Sequence, residues 1–361
     1  MYRFAHNHWI MSGMSLLSPN PNPHQVSDAV VLGAGLIGLA IALELSDRGA
    51  TVTVIDRGRS LTGASTAAAG MLAAEDPFNP PEVQHLSRLS AERYPAFLRR
   101  IEALSGIAVP FQTESAVQYM EDGSASRLSE RSIDPRQLAP ALLAAVKATS
   151  IRLLEDTHVV AANPGARGIT LHLSDGAVIT TQALVYAAGA WTSQVMAAFD
   201  IDPVSIAPRK GQMLRVRLPY ALNEVHRSEQ IYIVPRTRGP QAGTALIGAT
   251  VENAGFDTTV RADALDALRS LAAELLPEFA SKTDAPMVES WAGLRPVTPD
   301  MLPILGACAR AGQFIASGHY RNGILQAPAT ALVMADLIEG KTPIIDLSAL
   351  SPLRFTPAVT A

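Results

Sequence analysis

The 361-residue chain has a single cysteine, Cys308. One thiol excludes an intrachain disulfide framework and a Cys-based metal site, and it suits a reducing cytoplasm. An excess of positive charge is also missing. There are 29 Lys and Arg against 33 Asp and Glu, a net charge of −4. Without a basic field, nucleic acid is not an expected partner. The eight histidines show no H-x-x-x-H or similar ligand spacing. His6 and His8 read as solvated, and no metal site is expected. The uncharged run 29–43 is shorter than the ~20 apolar residues of a bilayer span, and Glu44 and Asp47 follow it at once. No integral membrane segment is therefore expected, and neither internal repeats nor long low-complexity stretches occur. What is present is 48% hydrophobic and 17% charged, a globular composition long enough for two domains with real cores.

Residues 1–27 read as a flexible tail. Arg3 is the one basic residue ahead of a short mixed run, which lacks the form of a signal peptide, and Met11 or Met14 are alternative starts. The most informative stretch comes next. Residues 28–56 read DAVVLGAGLIGLAIALELSDRGATVTVID, with Gly33, Gly35 and Gly38 in G-x-G-x-x-G spacing. An apolar β-type run leads in, a helix-type run leads out, and a second apolar run ends on Asp56, 18 positions past Gly38. This is the order of a dinucleotide site. Gly33 permits the turn, Gly35 lets a pyrophosphate approach the backbone, and Gly38 lets the helix pack on the strands. The helix N-terminus faces the phosphates, and Asp56 is placed for ribose hydroxyls. The alternatives are an ordinary Gly-rich strand–helix turn or, from Asp56 alone, an NAD-dependent enzyme.

Further along, the small residues 63–70 read as backbone wrapped closely around a large cofactor. Residues 81–106 have helical spacing, and 108–119 read as one strand. Asp134 and Pro135 cap a helix that runs to residue 146. Short strands are expected at 151–155, 159–162, 169–173 and 177–181. A buried strand, 183–189, ends on Gly189, a second place for close backbone approach. Residues 201–251 are strand-rich, and 262–279 form an amphipathic helix. The segment 313–338 reads as strand, Gly-containing turn and helix, so the cofactor domain is discontinuous.

These pieces together resemble the D-amino-acid oxidase family of flavoproteins, and within it the glycine oxidases of thiamine biosynthesis. The carriers are GAGLIG at 33–38, STAAAGML at 65–72, YAAGAW at 186–191, KGQ at 210–212, YIVPR at 232–236, IGAT at 247–250, WAGLRP at 291–296 and GHYRNGILQAP at 318–328. The implied fold class is α/β (α+β overall): a discontinuous Rossmann-like FAD-binding domain with an inserted, mostly antiparallel β-sheet substrate domain. The first takes residues 28–107, 134–195 and 285–345, the second 108–133 and 196–284, and 346–361 form a C-terminal tail.

The resemblance implies noncovalent FAD. Gly33, Gly35, Leu36, Ile37 and Gly38 would hold the pyrophosphate and Asp56 the ribose, with Arg57 beside it. Ala64, Ser65, Ala69, Gly70 and Met71 would pass along the diphosphate and flavin, with Gly189 a further cofactor contact, and Val159 would offer backbone to the adenine. His319, Tyr320, Arg321, Asn322, Gly323, Ile324 and Leu325 would line the flavin ring. Arg295 would clamp the substrate carboxylate through two parallel hydrogen bonds, Tyr232 would add a hydroxyl, and Arg321 would reach in from the other side. No side-chain acid or base is assigned, because flavin N5 takes the hydride. Departures include Asp56 where Glu is common, Gln230 where relatives carry His, and TPDMLP with Met301 where Gly is expected. That last turn is therefore expected to differ.

The implied activity is oxidation of glycine or a similar small amino acid to the imine, then to keto acid (glyoxylate), ammonia and H2O2, with O2 as acceptor. Alternatives are a D-amino-acid dehydrogenase or sarcosine oxidase relative, or a flavin subunit of a heteromeric dehydrogenase. A homo-oligomer and hand-off of the imine to a thiazole synthase are further expectations.

Overall fold

Alternation of apolar strands with an apolar helix forces a parallel sheet covered on its faces, because neither element has a polar side to give to water. A computed structural model describes residues 24–199 and 204–355 and has this layout. An eight-stranded sheet carries a parallel series in the order Gln313–Ser317, Val178–Tyr186, His24–Leu32, Val52–Ile55 and Arg152–Leu154. Ile304–Ala307 adds an antiparallel edge, and the hairpin Val159–Gly165/Gly168–Leu173 joins Val178–Tyr186. The helix Leu36–Asp47 is buried nearly all round as far as Leu43, as its apolar run requires, and Glu44, Ser46 and Asp47 reach the surface in its last turn. It packs against the closing helix Gly323–Ile338, which also contacts Gln84–Ser105.

The second sheet has seven strands in the order Met287–Val297, Ala207–Arg217, Thr244–Gly248, Tyr232–Arg236, Val225–Arg227, Ala116–Tyr119 and Ala125–Leu128. It is antiparallel except between Val225–Arg227 and Ala116–Tyr119. Alternation gives it two faces. Leu214, Val216, Ile233, Ala245 and Ile247 pack with Leu268 and Ala272 of the helix Ala262–Leu275 on one side. Val234, Leu246, Tyr232 and Trp291 meet Ala69 and Met71 on the other. The second face is the one that looks at the glycine-turn domain.

The structure corrects several sequence expectations. The first strand begins at His24, inside the segment read as a tail; residues 1–23 lie outside the described residues. Residues 108–119 form two short strands in different sheets, Phe111–Thr113 pairing with Ser132–Ile133. The strands expected at 177–181 and 183–189 are one strand, Val178–Tyr186. Pro277 stops the helix at Leu275, and a 3-10 turn follows. The 285–345 segment does not stay in one domain, because Met287–Val297 pairs along the whole of Ala207–Arg217 in the second sheet. Residues 348–355 of the expected C-terminal tail form two 3-10 turns, with Leu350 buried. At the departure from TPDGLP-type sequence, Met301 itself takes a left-handed backbone (φ 61°), so the turn keeps the conformation that glycine would adopt freely.

Candidate active site

Between the two sheets lies a cavity of about 920 Å³. That is near the upper end of the roughly 300–1,000 Å³ usual for ligand sites. Asp56, Arg57 and Val159 line it from the first sheet and its loops, Tyr232 and Arg295 from the second sheet, and Arg321 from the loop 318–322. Nearly every residue proposed from the sequence lines it: Gly33, Gly35, Leu36, Ile37, Ala64, Ser65, Ala69, Gly70, Met71, Gly189, His319, Tyr320, Asn322, Gly323 and Ile324. Two do not. Gly38 sits where a Cβ would overlap the Gly33 carbonyl and approach Val31 Cγ1 at 3.2 Å, so its task is packing the helix on the strand. Leu325 is 1% exposed in the core.

On the first-sheet side, Asp56 fixes the glycine turn. One carboxylate oxygen accepts the Ala34 N–H at 2.7 Å and the other accepts the Gly58 N–H at 3.0 Å. Each oxygen keeps a further lone pair for a hydroxyl. Gly33 holds φ 115°, and a Cβ there would strike the Ala187 carbonyl. Gly35 is different. A Cβ on it would meet only Ser65 Oγ, at 3.4 Å, so the space in front of it is open cavity wall. Leu36 N–H, the first of the helix, donates to that Ser65 hydroxyl at 3.0 Å. Arg57 lies 4.9 Å over the Trp191 ring.

The small-residue segment is fastened from behind by three side chains that sequence reading did not single out. Arg136 Nε donates to the Thr66 carbonyl (3.4 Å), Trp291 Nε1 to Ala67 (3.0 Å) and Arg236 Nη2 to Ala69 (2.8 Å). Asp134, the helix N-cap, stands 3.6 Å from Arg236. Burial pulls the Arg236 guanidinium down to about 10, against the opposing pull of Asp134. Glu289 bridges Arg136 (2.8 Å) and Arg215 (2.6 Å). Small residues can run along the cavity here because these long donors fill the space behind them.

The other side is built on the second sheet. Tyr232 pairs with Gly248, where a Cβ would stand 2.7 Å from the tyrosine hydroxyl. Burial raises the Tyr232 phenol, with Arg295 opposing, and the hydroxyl stays protonated as a donor. Arg295 lies half-buried over Gly211, whose missing side chain makes the room, and its Nη1 donates to the Thr250 carbonyl at 3.1 Å. The loop at 318–322 closes the wall. Tyr320 takes φ 47°, unusual for a non-glycine residue, and its N–H donates to the Pro296 carbonyl next to Arg295. Arg321 lies 5.2 Å over the Tyr320 ring. Asn322 caps the helix Gly323–Ile338 by backbone only, with no side-chain bond to its first N–H groups. Free N–H groups and the dipole of that long helix thus sit on the cavity wall.

His319 is 3% exposed and its Nε2 is 3.0 Å from Thr330 Oγ1. Burial drives its pKa down to about 3. The folded value lies below the unfolded ~6.5, so the unfolded chain takes up a proton that the native imidazole refuses. Stability is therefore expected to fall as pH drops below ~6.5, by about 1.4 kcal/mol per pH unit. Urea midpoints at pH 7.5 and pH 5 check this. His319→Gln should lose distinctly less stability over that interval, and equal losses would contradict the assignment.

Cys308 is partly buried against the hydrophobic core and does not line the cavity; burial pushes its thiol up to about 12. Among the described residues no group of His, Cys, Asp or Glu is arranged to hold a metal, and no helix is long and apolar enough to cross a membrane.

A dinucleotide cradle at one end and a guanidinium beside a phenol at the other fit a flavin dinucleotide with a small carboxylate. Comparison with known proteins agrees. The glycine oxidase of Geobacillus kaustophilus is 32% identical over 91% of this chain and 97% of that protein. Its crystal structure superposes with a TM-score of 0.84 at 30% identity, covering 91% of this chain and 98% of that one. The bifunctional protein ThiO/ThiG of Trichormus variabilis is 32% identical over 86% of this chain, which spans 52% of that longer protein. Residues 28–132 and 123–337 match the DAO family profile, FAD dependent oxidoreductase. The chain belongs to this family of FAD-dependent oxidoreductases, and FAD is its cofactor.

Proposed function

We propose that the chain oxidises glycine, or an amino acid of similar size, to the imine, which hydrolyses to the keto acid (glyoxylate from glycine) and ammonia. The observation that carries this reading is the seat of Arg295: a guanidinium held over Gly211 by the Thr250 carbonyl, beside the Tyr232 hydroxyl, on the second-sheet side of the cavity. Arg295 grips the carboxylate through paired hydrogen bonds, which fixes orientation as well as position. Tyr232 donates a third. Arg321 adds positive charge from the loop that joins the Arg295 strand through Tyr320 N–H and the Pro296 carbonyl.

At the dinucleotide end, Gly33, Gly35, Leu36 and Ile37 take the pyrophosphate, Asp56 the ribose and Val159 the adenine, while residues 64–71 and 319–324 run along the cofactor. Bound FAD supplies a two-electron acceptor for the hydride of the α-carbon. The N-terminus of Gly323–Ile338, which no side chain caps, stabilises negative charge gathered on the cavity wall beside the 318–322 loop. With the substrate held so, reaction is favoured chiefly by orientation. O2 is the proposed acceptor, giving H2O2. Likeness to glycine oxidases over nearly the whole chain supports glycine, and likeness to the bifunctional ThiO/ThiG protein supports supply of imine for thiazole formation in thiamine biosynthesis. The lone cysteine suits a cytoplasmic setting.

Product stoichiometry in air tests the proposal. Glycine should yield glyoxylate, ammonia and peroxide one for one, faster than sarcosine or D-alanine. Turnover that needs an added dye in place of O2 would make the enzyme a dehydrogenase.

A further inference from the structure

The motif KGQ, residues 210–212, is only partly used by the site described so far. Gly211 faces the cavity and makes room for Arg295. Its two neighbours point to the opposite face of the sheet, as strand alternation requires. Lys210 is there 1% exposed, a cation that nothing in the reaction employs. A buried ammonium is costly unless paired, so its partners matter. They all belong to one loop. Nζ stands 2.8 Å from Asp257 Oδ2 and 2.5 Å from the Thr259 carbonyl, with Glu252 Oε2 at 3.9 Å.

Gln212 holds the same loop. Its Nε2 donates to Glu252 Oε1 at 2.8 Å, its Oε1 accepts the Arg261 N–H at 2.7 Å, and its own N–H donates to Thr250 Oγ1 at 2.8 Å. Lys210 and Glu252 also exchange both backbone hydrogen bonds at 3.0 Å. The loop so fastened begins with Thr250, whose carbonyl accepts from Arg295. Ala249 and Val251 line the cavity, and Phe256 stacks on Trp191 at 5.3 Å.

We propose that Lys210 is a positioning residue for the substrate carboxylate: by fastening residues 250–261 from the reverse face of the sheet it fixes the Thr250 carbonyl that orients Arg295. This rests on the reading of Arg295 as the carboxylate clamp. One three-residue motif then serves both faces, with glycine seating the guanidinium and its flanks seating the carbonyl that aims it. The Lys210 ammonium also holds the Asp257 carboxyl well below the usual carboxylate range, so the tie persists into acid.

The test compares the flavin-loaded full chain with Lys210→Met, Asp257→Ala and Asp257→Glu. Lys210→Met removes the buried charge itself and leaves only the half-exposed Asp257 carboxylate without its partner, while Asp257→Ala keeps the lysine with the Thr259 carbonyl and Glu252, and so gives a second reading should Lys210→Met fail to fold. Flavin content is read from the visible spectrum, KM and kcat from glycine turnover, and carboxylate affinity from perturbation of the flavin band by acetate. Lys210→Met is expected to keep full flavin content, raise KM and the acetate Kd about 10-fold, and change kcat less than KM. Asp257→Ala should show a smaller rise and Asp257→Glu should restore the parent value. Unchanged KM and acetate Kd in both Lys210→Met and Asp257→Ala would overturn the proposal while leaving the clamp intact. A parent chain that binds no acetate and does not turn over glycine would overturn the clamp and this inference together.

Discussion

Replacing Gly35 by valine should give protein that folds but is colourless. At Gly35 an added Cβ finds only the Ser65 hydroxyl, 3.4 Å away, and no backbone atom beyond its own turn within 4 Å. The fold therefore tolerates the side chain, and the isopropyl group stands in the open wall where a pyrophosphate must approach the main chain. Loss of that approach should cost FAD at least roughly 100-fold in affinity, about 2.7 kcal/mol. The neighbouring glycines make the control. A Cβ at Gly38 would run into the Gly33 carbonyl, and one at Gly33 into the Ala187 carbonyl, so Gly38→Ala and Gly33→Ala should damage folding itself. Circular dichroism with visible absorbance separates the two outcomes. A Gly35→Val protein carrying a full complement of flavin would place the diphosphate elsewhere.

Arg295→Ala should do the reverse: keep the yellow colour and lose the substrate. Removing one partner of a charge-assisted, partly buried pair costs about 2–5 kcal/mol, so KM for glycine should rise on the order of 100-fold or more. Flavin content should not change, because Arg295 belongs to the second sheet and the glycine turn with Asp56 to the first. Gly211→Ala tests the same seat without touching the charge, since the new methyl overlaps the guanidinium. Normal KM in Arg295→Ala would remove the clamp from the account.

These two positions were readable in the sequence for different reasons. The glycine turn is local: strand, turn, helix and acid lie within 29 consecutive residues, and each obeys short-range chemistry. Arg295 could be assigned only through family likeness, because its partners come from elsewhere in the chain. Gly211 lies across a strand pair and the Thr250 carbonyl on a loop, contacts that no spacing rule joins. The braces at Arg136, Arg236 and Trp291 escaped for the same cause. Each looks like an ordinary strand or helix residue until pairing of the sheets carries it behind residues 66–69.

Strand boundaries failed where local turn chemistry competes with pairing. The strand expected at 159–162 should stop before Asn163, Pro164 and Gly165, which favour turns, yet the hairpin extends through them because their partners Thr170, Ile169 and Gly168 hold the ladder. The strand Met287–Val297 joins the second sheet although the strand that follows it in sequence, Ile304–Ala307, belongs to the first. Its eleven residues answer instead to Ala207–Arg217.

The central claim is that a flavin bound across this cavity takes two electrons from an amino acid held by Arg295. The most direct measurement is the visible spectrum of the purified holoenzyme titrated with glycine in the absence of oxygen. Complete bleaching of the flavin band by glycine, with Arg295→Ala bleaching only at far higher concentration, is the predicted result. A flavin band left untouched by glycine, sarcosine and D-alanine alike would contradict it.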